Sequence, residues 1–285
     1  MVIRTIFKNL GENLIYGGHL ISFGAVGIVL TFILLVEENI LIIPLLIVYF
    51  LTFVSLLHNR YKERELDFLT NPKRTRHLEK YFRKITIIIF IIGVSSILVL
   101  VINGYKEPLF FLLLLAAVIF LYTKYLKKLT RKILGFKNII FSLITSSLLI
   151  FTSLYYSYDF LSFTLWSIFI FCFLRMMVNT IFLDIKDVES DRREGLKTIP
   201  IVFGHKKTLR VLKIISLLSG LLLMIFVILD FIPVYALTLL LVVPYSFYYF
   251  KLSTKKRNFY LVNYILADAE FILWPIGVII GKILL

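Results

Sequence analysis

The chain has 285 residues, of which 60% are hydrophobic and 17% charged, against roughly 25% charged in an average soluble protein. That apolar excess is more than a soluble globule of this size can hide, and 13 Gly, 7 Pro and a single Cys exclude a collagen-like chain, an intramolecular disulfide and a multi-cysteine metal centre. With a formal charge of +15, the composition describes a polytopic membrane protein with a strong positive bias.

A bilayer core of about 30 Å is crossed by about 20 apolar residues in a helix. In chain order such stretches lie near 17–36, 40–58, 85–103, 107–122, 138–156, 160–183, 209–229, 231–250 and 260–284, which predicts an all-α polytopic membrane protein with nine transmembrane helices in one bundle. The first stretch follows Arg4 and Lys8 and lacks a small-residue cleavage site, so it reads as a retained helix and not a signal peptide. Unbroken runs of Ile, Leu, Phe and Val do not alternate as barrel strands do.

The connections alternate in length. Those after helices 1, 3, 5 and 7 are short: Glu37–Asn39, Gly104–Lys106, Ser157–Asp159 and Asp230–Pro233. Of the 32 Lys and Arg, 29 lie before helix 1 or in the segments 60–84, 124–137, 186–213 and 251–257. This one-sidedness predicts an integral protein of the cell membrane with its N-terminus and long loops in the cytoplasm. It also accounts for the net charge through topology and anionic headgroups, without a nucleic-acid partner.

The acidic residues are placed unevenly. After helix 2 come Asn59, Glu63 and Asp67, spaced i, i+4, i+8; after helix 6 come Asp184, Asp187 and Asp191, spaced i, i+3, i+7. Each set shares one helical face. Glu63 to Asp187 and Asp67 to Asp191 are both 124 residues, which predicts two related four-helix halves plus a ninth helix. Carboxylates at a helix C-terminus oppose its dipole and repel one another. A hard cation relieves both costs. Oxygen ligands on two facing helices suit Mg²⁺, whereas soft metals would want thiolates. The alternative is a set of solvated loop charges paired with neighbouring Lys and Arg. Basic residues follow each cluster: Lys73 and Arg74 after Asn71-Pro72, then Arg192, Arg193 and Lys197, while a third loop carries Tyr122, Thr123, Lys124, Lys127 and Lys128. Carboxylates beside cations fit a polyphosphate bridged by divalent ions.

At these residues the sequence resembles the UbiA superfamily of intramembrane prenyltransferases. The stretch from Asp184 through Asp187 and Asp191 to Gly195, Lys197 and Pro200 is close to the family's second motif. The first motif, Asn-Asp-x-x-Asp-x-x-x-Asp, is met by Asn59 and Asp67, but Glu63 stands for Asp and Arg60 replaces the Asp after Asn. Asn71-Pro72 with Arg74 resembles the family's Pro-and-Arg turn, and Tyr122-Thr123 with Lys127-Lys128 its Tyr-Ser…Lys-Arg loop. The resemblance covers almost all of residues 1–285 as a single membrane domain. It implies Mg²⁺-dependent transfer of a prenyl group from a prenyl diphosphate to an aromatic or lipid acceptor, with release of pyrophosphate. It implies Asn59, Glu63, Asp67, Asp187 and Asp191 as metal–diphosphate ligands, and Asp184 as a further ligand or acceptor-side base. Arg74, Tyr122, Lys127, Arg192 and Lys197 would contact the substrate. Ether-lipid, chlorophyll-type and homogentisate lineages are the nearest in wording.

Other residues stay open. Arg175 and Asn179 lie one turn apart within a span, and a diphosphate role for Arg175 competes with a structural pair. Asp268 and Glu270 on the last helix are equally ambiguous. Cys172 reads as a small core residue. Two other functions compete: a catalytically altered family member acting as a scaffold, and an ion-coupled transporter, which would place its acids near the bilayer midplane. A CDP-alcohol phosphotransferase would need an Asp-Gly…Ala-Arg…Gly pattern that the chain lacks.

Overall fold

The computed structural model describes residues 11–82, 84–255 and 261–284. Arg4, Lys8, Arg83, Lys256 and Arg257 of the basic segments lie outside them, as does the side chain of Thr123. All regular elements among the described residues are helices: α1 His19–Leu35, α2 Ile42–Lys62, α3 Arg64–Thr70, α4 Pro72–Phe82, α5 Ile85–Ile102, α6 Lys106–Lys124, α7 Phe136–Ser146, α8 Leu148–Tyr155, α9 Phe163–Asp184, α10 Val188–Arg193, α11 Ile199–Ile228, α12 Val242–Ser253 and α13 Ala267–Leu284. A 3₁₀ segment, Val234–Leu241, leads into α12, and a π segment, Val262–Leu266, leads into α13.

Among the described residues, seven helices are long and apolar enough to cross a membrane: Ile42–Lys62, Ile85–Ile102, Phe136–Tyr155, Phe163–Asp184, Ile199–Ile228, Val234–Ser253 and Val262–Leu284. The remaining two predicted stretches form α1, of 17 residues, and α6, of 19 residues. The boundaries differ from the sequence reading for local reasons. Gly18, at φ 96°, stops the chain from entering α1 before His19. The span expected from 209 begins at Ile199, because Pro200 sits in the first turn where its missing N–H is harmless. Gly204 then bends it, at φ 73° and ψ 167°, a region open essentially to glycine alone.

The core runs through the middle of the bundle. Phe32 of α1, Phe171 and Cys172 of α9, and Trp274 and Val278 of α13 pack together and are buried. A second cluster joins α1, α2, α5 and α8 through Val29, Ile33, Val48, Leu100 and Phe151. Lipid-facing side chains stay apolar and exposed, as at Phe90, Ile102 and Phe110. α1 and α13 touch backbone to backbone: a Cβ on Gly27 would stand 2.2 Å from the Phe271 carbonyl oxygen. Small residues permit such approaches between membrane helices.

Candidate active site

Both acidic motifs lie where a long helix gives way to a short one. α2 ends at Glu63, and Asp67 lies in α3. The backbone ladder continues across the bend, with Glu63 N donating to Asn59 O at 3.0 Å and Asp67 N to Glu63 O at 2.8 Å. The shared face predicted for Asn59, Glu63 and Asp67 survives in that ladder. In the second motif Asp187 N donates to Asp184 O at 3.1 Å, and Asp191 N to Asp187 O at 2.9 Å. Gly195, at φ 72°, turns the chain out of α10.

Asn71 joins the two motifs. Pro72 opens α4, which leaves Asn71 in the joint before it. Its amide nitrogen donates to Asp67 Oδ1 and Asp187 Oδ1, each at 3.0 Å. Thr70 Oγ1 adds a donation to Asp187 Oδ1 at 3.2 Å. The remaining charge is matched locally. Arg74 pairs with Asp67 through Nη2, with its Nε at 3.1 Å from Oδ2, and Lys186 pairs with Asp187 at 2.8 Å. Burial raises the Asp187 pKa, but Lys186, Arg74 and Lys137 overcome it and hold the carboxyl well below the ordinary range.

Two lysines tie in the rest. Lys127 bridges Glu63 at 2.6 Å and Glu194 at 2.9 Å. Burial works against its charge, and the two glutamates more than offset it, so its pKa rises. Lys137 bridges Asp184 at 2.9 Å and Asp191 at 3.3 Å. Asn138 takes the other Asp184 oxygen at 2.8 Å. The third loop is pinned to the second motif by backbone bonds, Lys197 N to Thr130 O at 2.9 Å and Gly135 N to Lys197 O at 3.2 Å.

The predicted residues therefore fall into groups. Asp67 and Asp187 meet through Asn71; Glu63 meets the second motif through Lys127; Asp184 and Asp191 share Lys137. Asn59 is exposed and donates to Glu63 at 3.4 Å. Arg192 and Lys197 are exposed, while Tyr122 is buried edge-on against Phe141. A surface cavity of about 360 Å³ borders Glu63 and is lined by Tyr61, Lys62, Glu63, Arg64, Glu65 and Leu66. Arg60 is buried and donates to the Tyr16 carbonyl at 3.1 Å. Sequence reasoning assigned no site role to Asn71, Lys137, Lys186 or Glu194. In the sequence Asn71 reads as part of a turn, and the lysines read only as markers of topology.

Among the described residues, no three His, Cys, Asp or Glu side chains stand close enough to hold a metal alone. The donor chemistry suits magnesium even so, since the converging atoms are carboxylate oxygens. Asp191 Oδ2 is buried with no hydrogen-bond partner among the described residues. Its carboxyl is pushed up in pKa by burial and by Asp184 and Asp187, against Lys137. A cation there would supply the missing partner.

Arg175, Asp268 and Glu270 belong to a different layer. Arg175 donates from Nε and Nη2 to the two Glu270 oxygens at 2.8 and 2.6 Å, and from Nη1 to Ser216 at 2.7 Å. All three side chains are buried, and this is the structural pair that the sequence left without a partner. Asn179 donates to the Ala267 carbonyl at 2.9 Å and to Asp268 at 3.5 Å.

A helical membrane bundle with two acidic motifs joined at one end defines a polytopic protein built around a paired carboxylate centre. The UbiA prenyltransferase family model matches residues 20–261, and the chain belongs to that family. A UbiA homolog from Aeropyrum pernix K1 superimposes with a TM-score of 0.66 at 15% identity, covering 95% of this chain and 97% of that one. A UbiA homolog from Archaeoglobus fulgidus bound to DMAPP and Mg²⁺ gives 0.62 at 16%, covering 94% and 98%. A structure concerned with digeranylgeranylglyceryl phosphate synthase in membranes gives 0.55 at 20%, covering 96% and 100%. At these identities the likeness is one of fold. No curated protein matches the sequence.

Proposed function

We propose that this protein transfers a prenyl group from a prenyl diphosphate to a small lipid or aromatic acceptor, with Mg²⁺, at the cytoplasmic end of a nine-helix bundle made of two four-helix halves and a ninth helix. The observation that carries this reading is the Asn71 amide, which holds Asp67 and Asp187 together although they lie four predicted helices apart. The Archaeoglobus homologs bound to DMAPP or GPP and Mg²⁺ support it for the family.

Asp67, Asp187, Asp191 and Glu63 would hold the metal, with Asn59 at the edge. Magnesium, when bound, would offset the charge of the diphosphate and make it a better leaving group. Arg74 and Lys127, held in place by Asp67 and Glu63, would present their remaining donors to the phosphate oxygens. The exposed Arg192 and Lys197 would meet the ligand from the loop side, with Tyr122 behind them. Asp184, held by Lys137 and Asn138, anchors Lys137 and would be a further ligand or an acceptor-side base. The bond between the allylic carbon and the diphosphate oxygen breaks, pyrophosphate leaves with the electron pair, and the acceptor adds to the allylic cation and gives up its proton to water or to the departing pyrophosphate. The Phe- and Tyr-rich interior keeps water from that cation.

The test is pyrophosphate release by purified protein given Mg²⁺, a prenyl diphosphate and a panel of acceptors. Asp187→Ala and Asp191→Ala should each abolish release while the protein stays folded. Wild-type rates in both would overturn the assigned roles, and no release from the wild type with any acceptor would favour the scaffold reading. A transporter gains no support from the intramembrane Arg175–Glu270 pair, because its charges are already satisfied.

A further inference from the structure

Tyr264 enters the acidic centre from outside both motifs and beyond the residues that the family model matches. It sits in the π segment Val262–Leu266 at the head of the last helix, a distortion frequent at functional sites. Its hydroxyl donates to Asn71 Oδ1. With that oxygen engaged, the amide nitrogen must face the acids, where it meets Asp67 and Asp187 at 3.0 Å each. The reversed amide would set a carbonyl oxygen against two carboxylates. The ring contributes as well: the Arg74 guanidinium lies 6.0 Å from its centroid and the Lys186 ammonium 5.9 Å. These are the cations paired with Asp67 and Asp187. One side chain thus touches the amide that joins the two acids and the cation that balances each.

We propose that Tyr264 is a positioning residue that locks the Asn71 amide in the orientation holding Asp67 and Asp187 together, and so sets the affinity of the pair for Mg²⁺ and a diphosphate. The second half of this statement rests on the prenyl-transfer reading; the lock itself does not. Tyr264→Phe keeps the ring and removes the donor. Supporting groups of this kind typically change metal affinity by about tenfold or more.

The experiment uses the full chain in nanodiscs, with Mg²⁺ and inorganic pyrophosphate as the probe. Melting temperature is followed against Mg²⁺ for the wild type, Tyr264→Phe, Asn71→Ala and the double variant. Expected are a half-saturating Mg²⁺ raised about tenfold in Tyr264→Phe and a double variant that melts no lower than the worse single one. Additive melting losses would overturn the lock. An unchanged half-saturation in Tyr264→Phe would overturn its role in affinity. If Mg²⁺ and pyrophosphate leave the wild type unstabilised, the prenyl-transfer reading fails with the affinity claim, and the metal-free melting cycle still decides whether the lock exists.

Discussion

Glu63 is one of two residues, with Arg60, where the first motif departs from its family, and the structure gives the longer arm a purpose. Its Oε1 reaches Lys127 at 2.6 Å, and Lys127 goes on to Glu194. An aspartate here falls one methylene short. Glu63→Asp, which restores the family's residue, should therefore lower kcat/KM for the prenyl diphosphate, not raise it. The pair is about one-third exposed, at 32% and 35%, so about 0.2–1 kcal/mol is at stake, a loss of up to about fivefold. Steady-state kinetics against diphosphate concentration check this, and a gain in activity would refute the role given to Lys127. Individual acids were legible from their spacing. Their distant partners were not, because Asn71 reaches Asp187, and Lys137 reaches Asp184 and Asp191, only through folding, and nothing in a run of basic loop residues marks which one will turn inward.

At the scale of elements, the four short connections share one device. Glu37, Ser157 and Asp230 have positive φ, as does Gly104. In each turn the next residue's N–H reaches back five residues: Glu38 to Ile33, Tyr105 to Leu100, Tyr158 to Ser153 and Phe231 to Phe226, at 3.1, 2.9, 2.8 and 2.9 Å. This is the Schellman closure, which normally takes glycine at the left-handed position. Ser157 is exposed and occupies that position with a Cβ that gains nothing there. Ser157→Gly should stabilise the protein by about 0.5–1 kcal/mol, read as a rise of about 1–3 °C in melting midpoint in detergent. A fall would mean that the glycine's added freedom in the unfolded chain outweighs the relief. The turns were predictable as places, from the gaps between apolar runs. Their common closure was hidden because three of the four residues are not glycine. Likewise the early start of α11 and its bend at Gly204 lay inside what reads as a basic loop.

For the whole molecule, sidedness is the strongest claim drawn from sequence, and it is open to direct test. The acidic centre is built from the ends of α2 and α9 together with α3, α4, α10 and the start of the last helix, all at one end of the bundle. The four Schellman turns close the other end, where Lys282 of α13 pairs with Glu37 at 3.0 Å. This arrangement matches the split of basic residues, and the two acidic motifs that the sequence singles out meet through an amide that it does not. The one cysteine, Cys172, is buried in the core, so the natural protein gives little background to a water-soluble maleimide. Lys73 beside the acidic centre and Asn39 in the first short turn are both exposed. A membrane-impermeant maleimide applied to intact cells should label Asn39→Cys and leave Lys73→Cys unlabelled until the cells are permeabilised. The reverse pattern would place the acidic centre outside the cell. Labelling of both in intact cells would break the link between charge asymmetry and orientation. Protection of Lys73→Cys in intact cells, lost on permeabilisation, would set the acidic centre on the cytoplasmic face, where the proposed prenyl diphosphate could reach it.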